Sequence, residues 1–375
     1  DFYYAPPSGF LALCTANLPA PVERFDPAEG GSPQDHFKPV LYTGNGGDAN
    51  SPQAITGVGF QPGFLWLKNR DAAKYNVVTD VVRGIGKSWY TNSNAAEDNE
   101  TYVTAFGSDG FSVADIDSGN SNENNEKYVA WCWTAGGSGS SNTDGSINTT
   151  STSVAPHSGF SISTYTGTGS NATVGHGLGI VPDMVWVTGR SINYNSGIGG
   201  DTVVWANSYA GTGRQYLTYD GYATETSAAT WNSTIPTSSV VSIGTNLHTN
   251  YDSSSTYVMY CFANVENFSK IDKYEGNGNA SGTFVYTGFR PAWVMIKSLT
   301  DETGWRIYDS ERLGFNVTNN ALYADADSAE DAANNHIDLL SNGFKMRRNN
   351  VSNTDGVGYF YMAFAEQPFK YANAR

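Results

Sequence analysis

Two pairs of aspartates stand two residues apart, Asp115/Asp117 and Asp325/Asp327. Hydrolysis of a glycosidic bond needs two carboxylates, about 5–9.5 Å apart, on either side of the bond. Either pair could share a strand face or a loop, but acids at this spacing are also ordinary turn residues in an acidic, loop-rich chain. The five histidines, His36, His157, His176, His248 and His336, sit in unrelated contexts, and none falls in a metal-ligand spacing. Gly-x-Ser-x-Gly, the turn that presents a serine nucleophile, is absent. Asp115-x-Asp117-x-Gly119 begins like a calcium loop, but its glycine comes one position early and no glutamate closes it. Calcium is therefore the one ion left open, and no other cofactor is expected. We expect no enzyme.

Recurring charged residues are the second group. Asp-x-x-Arg occurs as Asp80/Arg83 and as Asp309/Arg312, and Ala-Glu-Asp as 96–98 and 329–331. An arginine fork held by a nearby carboxylate suits a local brace, and the Glu-Asp pairs suit a repeated turn better than a repeated ion site. Cys132 and Cys261 occupy matching places and are expected to be buried thiols. Aromatic rings can stack on sugars while Asn, Asp and Gln bond the hydroxyls. The candidate ligand-binding residues on that basis are Tyr194, Tyr219, Tyr222 and Trp231.

Three copies of one pattern must position these residues. Pro62 opens Phe64-Leu65-Trp66-Leu67-Lys68, Pro182 opens Met184-Val185-Trp186-Val187-Thr188, and Pro291 opens Trp293-Val294-Met295-Ile296-Lys297. A Tyr-x-Gly-x-Gly turn precedes each (Tyr42, Tyr165, Tyr274), and an aromatic strand closes each (from Tyr128, Tyr257 and Tyr359). The runs are short, β-branched and aromatic, bounded by Gly, Asn, Asp and Ser, as strands are. The proline-led strands are apolar on both faces, which predicts a strand covered on both sides. The fold class is all-β: three tandem β-sandwich-like repeat units with short loops and little helix. One short helix at most is expected, within 328–340. We place an N-terminal stub at 1–36, repeat 1 at 37–135, a Gly/Ser/Thr linker at 136–157 acting as a flexible tether, repeat 2 at 158–264 and repeat 3 at 265–375. Repeats 2 and 3, with no tether between them, are expected to pack on each other.

The middle repeat departs from its neighbours. It carries six extra residues around Tyr194, has Ala206 and Tyr209 where the others have Asp and Arg, and is aromatic-rich from Tyr219 to Trp231. Longer loops on a rigid frame are where binding residues gather.

Composition narrows the partners. Lys and Arg number 21 against 36 Asp and Glu, a net charge of −15 over 375 residues. With no basic cluster, nucleic acid is not an expected partner. No apolar run is long enough for a spanning helix, so no membrane insertion is expected. Aromatics make up 13% of the chain and charged residues only 15%. That balance leaves room for a homo-oligomeric interface.

The repeats together resemble a module of bacteriophage structural proteins, of the marine and cyanophage type. Tyr42-Thr-Gly-Asn-Gly, Val58-Gly-Phe-Gln-Pro, Trp66-Leu-Lys-Asn-Arg and Tyr128-Val-Ala-Trp-Cys-Trp carry the resemblance, which covers residues 37–375. Residues 5–19 resemble the last strand of a SPRY-like domain, which implies a further domain ahead of residue 1. The resemblance implies a virion surface location and a tail-fibre adhesin that binds a host surface glycan or protein, beside other virion proteins. The alternatives are a head fibre or capsid decoration protein without a receptor role, and a polysaccharide depolymerase. The resemblance further implies a homo-oligomer, with a trimer favoured, and it brings no catalytic residues.

Overall fold

The computed structural model describes residues 31–116, 118–191, 201–207, 213–217, 225–301, 303–312, 315–334 and 336–366. It is all-β, in three sandwich-like units. In unit 1 the large antiparallel sheet runs β1 (Phe37–Thr43), β8 (Lys127–Trp133), β3 (Phe64–Asn69), β4 (Val77–Asp80), β5 (Trp89–Tyr90). A small sheet of β2 (Gln53–Thr56), β7 (Gly110–Val113) and β6 (Val103–Gly107) faces it. Unit 3 repeats the plan: β18 (Ser269–Glu275), β25 (Gly358–Ala365), β20 (Pro291–Ser298), β21 (Arg306–Asp309) and β22 (Leu322–Tyr323), faced by β19 (Phe284–Tyr286), β24 (Gly343–Met346) and β23 (Ile337–Leu340).

Unit 2 has a larger main sheet, in the order β15 (Glu225–Thr226), β14 (Gly213–Tyr216), β13 (Thr202–Ala206), β12 (Met184–Gly189), β17 (Thr256–Phe262), β10 (Phe160–Thr166), β9 (Ser151–Ala155). Its small sheet has two strands, β11 (Ala172–Gly175) and β16 (Val240–Ile243). Two single-turn helices, α1 (Ala228–Trp231) and α2 (Leu247–Asn250), complete it. Within 328–340, where at most one short helix is expected, none forms among the described residues. The chain there turns irregularly into β23, as two adjacent asparagines and β-branched Ile337 favour.

Each large sheet is buried on both faces, as its apolar alternation requires. On one face Tyr128, Ala130 and Cys132 meet the small sheet of their own unit. On the other, Val129, Trp131 and Trp133 enter a core shared by all three units. Trp66 of unit 1 stands 5.9 Å from Trp186 of unit 2 and 6.4 Å from Trp293 of unit 3, centroid to centroid. Trp133 meets Trp293 edge to face at 5.8 Å. Such edge-to-face pairs add about 0.5–1.5 kcal/mol each beyond their buried area. Each unit supplies one tryptophan from its proline-led strand, and in unit 3 the places of the tryptophan and its partner are exchanged (Trp293, Met295). Part of the aromatic surplus assigned above to an interface between chains thus lies between the units of one chain. Repeats 2 and 3 do pack together, and so does every other pair. Cys132 and Cys261 are buried free thiols, as expected.

In every unit the Tyr-x-Gly-x-Gly turn is locked in the same way. Tyr42, Tyr165 and Tyr274 each donate to the carbonyl of Ser121, Thr249 or Ser352, at 2.6–2.7 Å. The next residue, Asn122, Asn250 or Asn353, binds the turn backbone through its buried amide.

The segment read as a tether is a built part of unit 2. Ser151–Ala155 adds β9 along β10, with Thr152 and Ser163 hydroxyls 3.0 Å apart. Ile147 donates to Thr173 beside β11 at 3.0 Å. The physical reason lies in β10, Phe-Ser-Ile-Ser-Thr-Tyr-Thr, which has neither charge nor proline. The corresponding edges of the other units guard themselves, β1 with Lys38 and Pro39, β18 with Lys270, Asp272, Lys273 and Glu275. An unguarded edge pairs with any strand offered to it. The Ser151 and Ser153 amides face β10, since that of Thr152 turns the other way, toward Ser140. Ser151→Pro with Ser153→Pro, which breaks the β9 ladder, should therefore cause concentration-dependent self-association in light scattering. A double variant that associates no more than the parent chain would count against β9 as an edge cover.

Candidate functional site

The recurring acids and arginines join units rather than brace loops alone. Asp80, fully buried, accepts from Arg83 Nε at 2.5 Å, from the Val82 and Arg83 amides, and from the Tyr260 hydroxyl of unit 2 at 2.8 Å. Arg83 continues to Glu97 at 3.1 Å, and Glu97 takes both nitrogens of Arg190 of unit 2 at 2.9 Å. Unit 3 repeats this against unit 1. Asp309 holds Arg312 and accepts from Trp131 Nε1 at 3.0 Å. Arg312 reaches Glu330 at 3.1 Å, which Arg70 of unit 1 grips at 2.9 and 3.0 Å.

Among the described residues the third seam has none of this. Ala206 stands where the aspartate would be and Met362 where Trp131 and Tyr260 stand, and Leu299 follows its strand where Arg70 and Arg190 follow theirs. These three positions change together, and apolar packing fills the seam among the described residues. Gln215 to the Ser298 carbonyl (2.8 Å) and Trp305 Nε1 to the Tyr216 carbonyl (2.9 Å) supply its polar contacts. Sequence reasoning found the Asp/Arg and Glu-Asp motifs but missed Arg70 and Arg190. Their common position just after the proline-led strand was the available signal.

One open cleft lies on the seam between units 1 and 3, about 300 Å³ in volume. Its walls are the turn after β3 (Ala73, Lys74, Tyr75), Ser118 and Asn120 of unit 1, and Asp327 of unit 3. Lys68, buried beneath, donates to the Lys74 carbonyl at 2.8 Å and the Asp327 carbonyl at 2.7 Å, so one ammonium ties both walls. Burial brings its pKa down to about 7, partly offset by the Asp327 charge. The Lys74 amide also bonds the Asp327 carbonyl at 2.9 Å, and Asn76 reaches Tyr323 and Ala324 of unit 3.

Tyr75 is 47% exposed, yet fixed. Its amide bonds Asn120 Oδ1 at 3.0 Å, and its ring lies 4.7 Å from that of Tyr90, which is anchored to the Tyr102 hydroxyl at 2.8 Å. Lys74 Nζ spends one donor on the Ser118 carbonyl at 2.8 Å. The cleft therefore offers an exposed ring beside an ammonium, a hydroxyl and the exposed Asp327 carboxylate. It can stack an apolar ring face and hydrogen-bond hydroxyls. Tyr75 was not among the residues picked from sequence.

Of those that were, Tyr194, Tyr219 and Tyr222, with Asp117 and most of the six-residue insertion, lie outside the described residues. Trp231 is corrected: it is 1% exposed, packed in the unit 2 core with Val241 and Ile243. Among the described residues the small sheet of unit 2 has two strands, and α1 packs against β16 and turns this indole into the core. Of the two carboxylate pairs, Asp115/Asp117 falls partly outside the described residues, and Asp325 and Asp327 turn to different partners. Asp325 accepts the Trp305 amide at 3.0 Å while Asp327 faces the cleft. Among the described residues no group of three metal-ligating side chains converges.

Fold and site together define a three-unit β-sandwich repeat protein closed around one aromatic core, with a polar cleft at a seam. Residues 32–368 match a family described as a domain of unknown function, DUF7483, and the chain belongs to that family. A comparison with curated proteins finds no match.

Two predictions come from the seams and a third from a buried histidine of unit 3. Asp80→Ala leaves Arg83 buried without its partner and should cost about 3–5 kcal/mol in chemical denaturation. Asp80→Ala with Arg83→Leu, imitating the apolar third seam, should cost clearly less. An equal loss in both would show that the ion pair is not what the single change removes. For Glu97, burial favours the neutral acid, but Arg190 and Arg83 outweigh it and hold the pKa below 4.5. Its contribution is then full above pH 4.5 and is lost as pH falls through the depressed folded value. Glu97→Gln should flatten the acid side of the Tm–pH curve. His336, brought from 6.5 to about 4 by burial and then by Arg348 and Arg306, adds a loss beginning as pH drops below 6.5. His336→Asn should remove that earlier part alone.

Proposed function

We propose that this chain is a non-catalytic binding module on a virion surface, a tail-fibre-type adhesin that attaches to a host surface glycan. The observation that carries the reading is the Tyr75 cleft: a fixed, exposed ring on a seam, flanked by Lys74, Ser118 and Asp327. Aromatic faces with spare donors and acceptors suit saccharides, whose rings have apolar faces and hydroxyl rims. The resemblance of the repeats to phage structural modules supports the location. The fates of the acids support the absence of chemistry: Asp80, Asp309, Glu97 and Glu330 are committed to arginines. A module locked along two seams by buried ion pairs is suited to holding a surface in place while it is pulled.

Immunogold labelling of virions with antibody to this chain should mark tails, and labelling of heads alone would reject the fibre assignment. Tyr75→Ala should lower adsorption of the purified chain to host cells about tenfold, the effect of losing one central aromatic contact. Unchanged adsorption by a folded variant would remove the cleft from the reading. Incubation with host envelope polysaccharide should release no oligosaccharide.

A further inference from the structure

Unit 3 differs from its sister units on the outer face of its small sheet. Strand pairing makes Val285 of β19 the counterpart of Ile55 and Val174. Its neighbours Phe284 and Tyr286 then occupy the places of Ala54 and Thr56 in unit 1 and of Thr173 and Gly175 in unit 2. Small residues serve the fold at both sister positions, so packing does not demand the two rings. They are 44% and 65% exposed, among the most exposed large side chains of the described residues.

Both rings are backed by glycine. An added Cβ on Gly343 would stand 3.2 Å from Phe284 Cε2, and one on Gly288 would stand 3.7 Å from the Tyr286 hydroxyl. A ring lying over a residue without a side chain can settle close to the backbone and leave its other face to solvent.

A cleft of about 380 Å³ opens beside them, walled by Tyr286, Thr287 and the 264–270 segment where unit 2 passes into unit 3. In unit 1 the corresponding lysine, Lys38, bonds the Gly57 carbonyl at 2.6 Å. In unit 3 Lys270 pairs instead with Asp272 at 3.4 Å, a pair that is partly solvent-exposed. Glu266 is exposed and Asn267 half-buried, and both line the cleft. The rim thus presents a carboxylate, an amide and an ammonium next to an outward-facing ring.

We propose that Phe284 and Tyr286, with the cleft bounded by Glu266, Asn267 and Lys270, form a saccharide-binding platform on unit 3, separate from the Tyr75 cleft. A neutral sugar fits best. The rim pairs acceptors with donors as hydroxyls require, while the net charge of −15 opposes an acidic polymer. Two clefts on one rigid frame would hold one polysaccharide at two points, so that each contact raises the effective concentration of the other. The inference takes from the proposed function only the ligand class.

The test is NMR of the intact chain with ring-labelled tyrosine, titrated with methyl glycosides of glucose, galactose and N-acetylglucosamine. Tyr286→Phe and Tyr75→Phe assign the two ring signals. We expect the Tyr286 signals to shift saturably with at least one glycoside, and Phe284→Ala to weaken that titration about tenfold. Ile235→Ala, an exposed aliphatic remote in sequence, should leave it unchanged. If the Tyr75 signals alone move, the unit 3 platform is overturned while the proposed function stands. If the Tyr286 signals alone move, the platform stands and the Tyr75 cleft fails. Movement of neither overturns both. If Phe284→Ala lowers Tm but leaves the titration unchanged, the ring only braces its sheet and the platform is likewise overturned.

Discussion

The structure depends on one constraint: each large sheet is apolar on both faces. A small sheet covers one face, and nothing within a unit can cover the other. Three such faces turned toward one another close the problem, because each sheet then covers its neighbours. Trp66, Trp186 and Trp293, with Trp131 and Trp133, fill the middle. A single unit removed from the chain would expose this aromatic face to water, at about 25 cal/mol per Å². The units are repeats in sequence, but they are not independent domains in energy.

Orientation within that core is set by polar contacts that cross its edges. An apolar face alone allows the sheets to slide or rotate, since hydrophobic burial has no direction. The Asp80–Arg83–Glu97–Arg190 and Asp309–Arg312–Glu330–Arg70 runs fix two seams by geometry, because bidentate carboxylate–arginine pairs tolerate little displacement. The third seam is left to Ala206, Met362 and Leu299. Two fixed seams already determine the position of the third, so charge there would add desolvation cost without adding definition.

Binding surface arises where this frame leaves something over. The loops at the seams must meet, and Lys68 ties two of them by their carbonyls. Tyr75 stays at the surface because the turn that carries it is used for that junction. The outer face of unit 3 is a different case. There the frame asks for small residues and receives two rings. The Tyr75 cleft, formed between units, carries the proposed function, and the two rings of unit 3 form the separate proposed platform.

Much of the fold was legible in the sequence. Period-two alternation, the proline-led strands and the aromatic closing strands determined three all-β units and the burial of both sheet faces, because side chains alternate along a strand whatever its neighbours. Matching positions determined that Cys132 and Cys261 are buried and that Asp80 and Asp309 hold their own arginines. What the sequence could not determine was how the units face one another. Whether Glu97 reaches Arg190, whether Trp231 points inward, and whether residues 136–155 hang free or cover β10 depend on contacts between segments far apart in the chain. Composition marks Gly, Ser and Thr as flexible, but an unguarded strand edge gives the same residues a ladder to join. Only the tertiary arrangement brings that edge within reach, and only it leaves Tyr75 at the surface while burying Trp231, which composition made equally eligible.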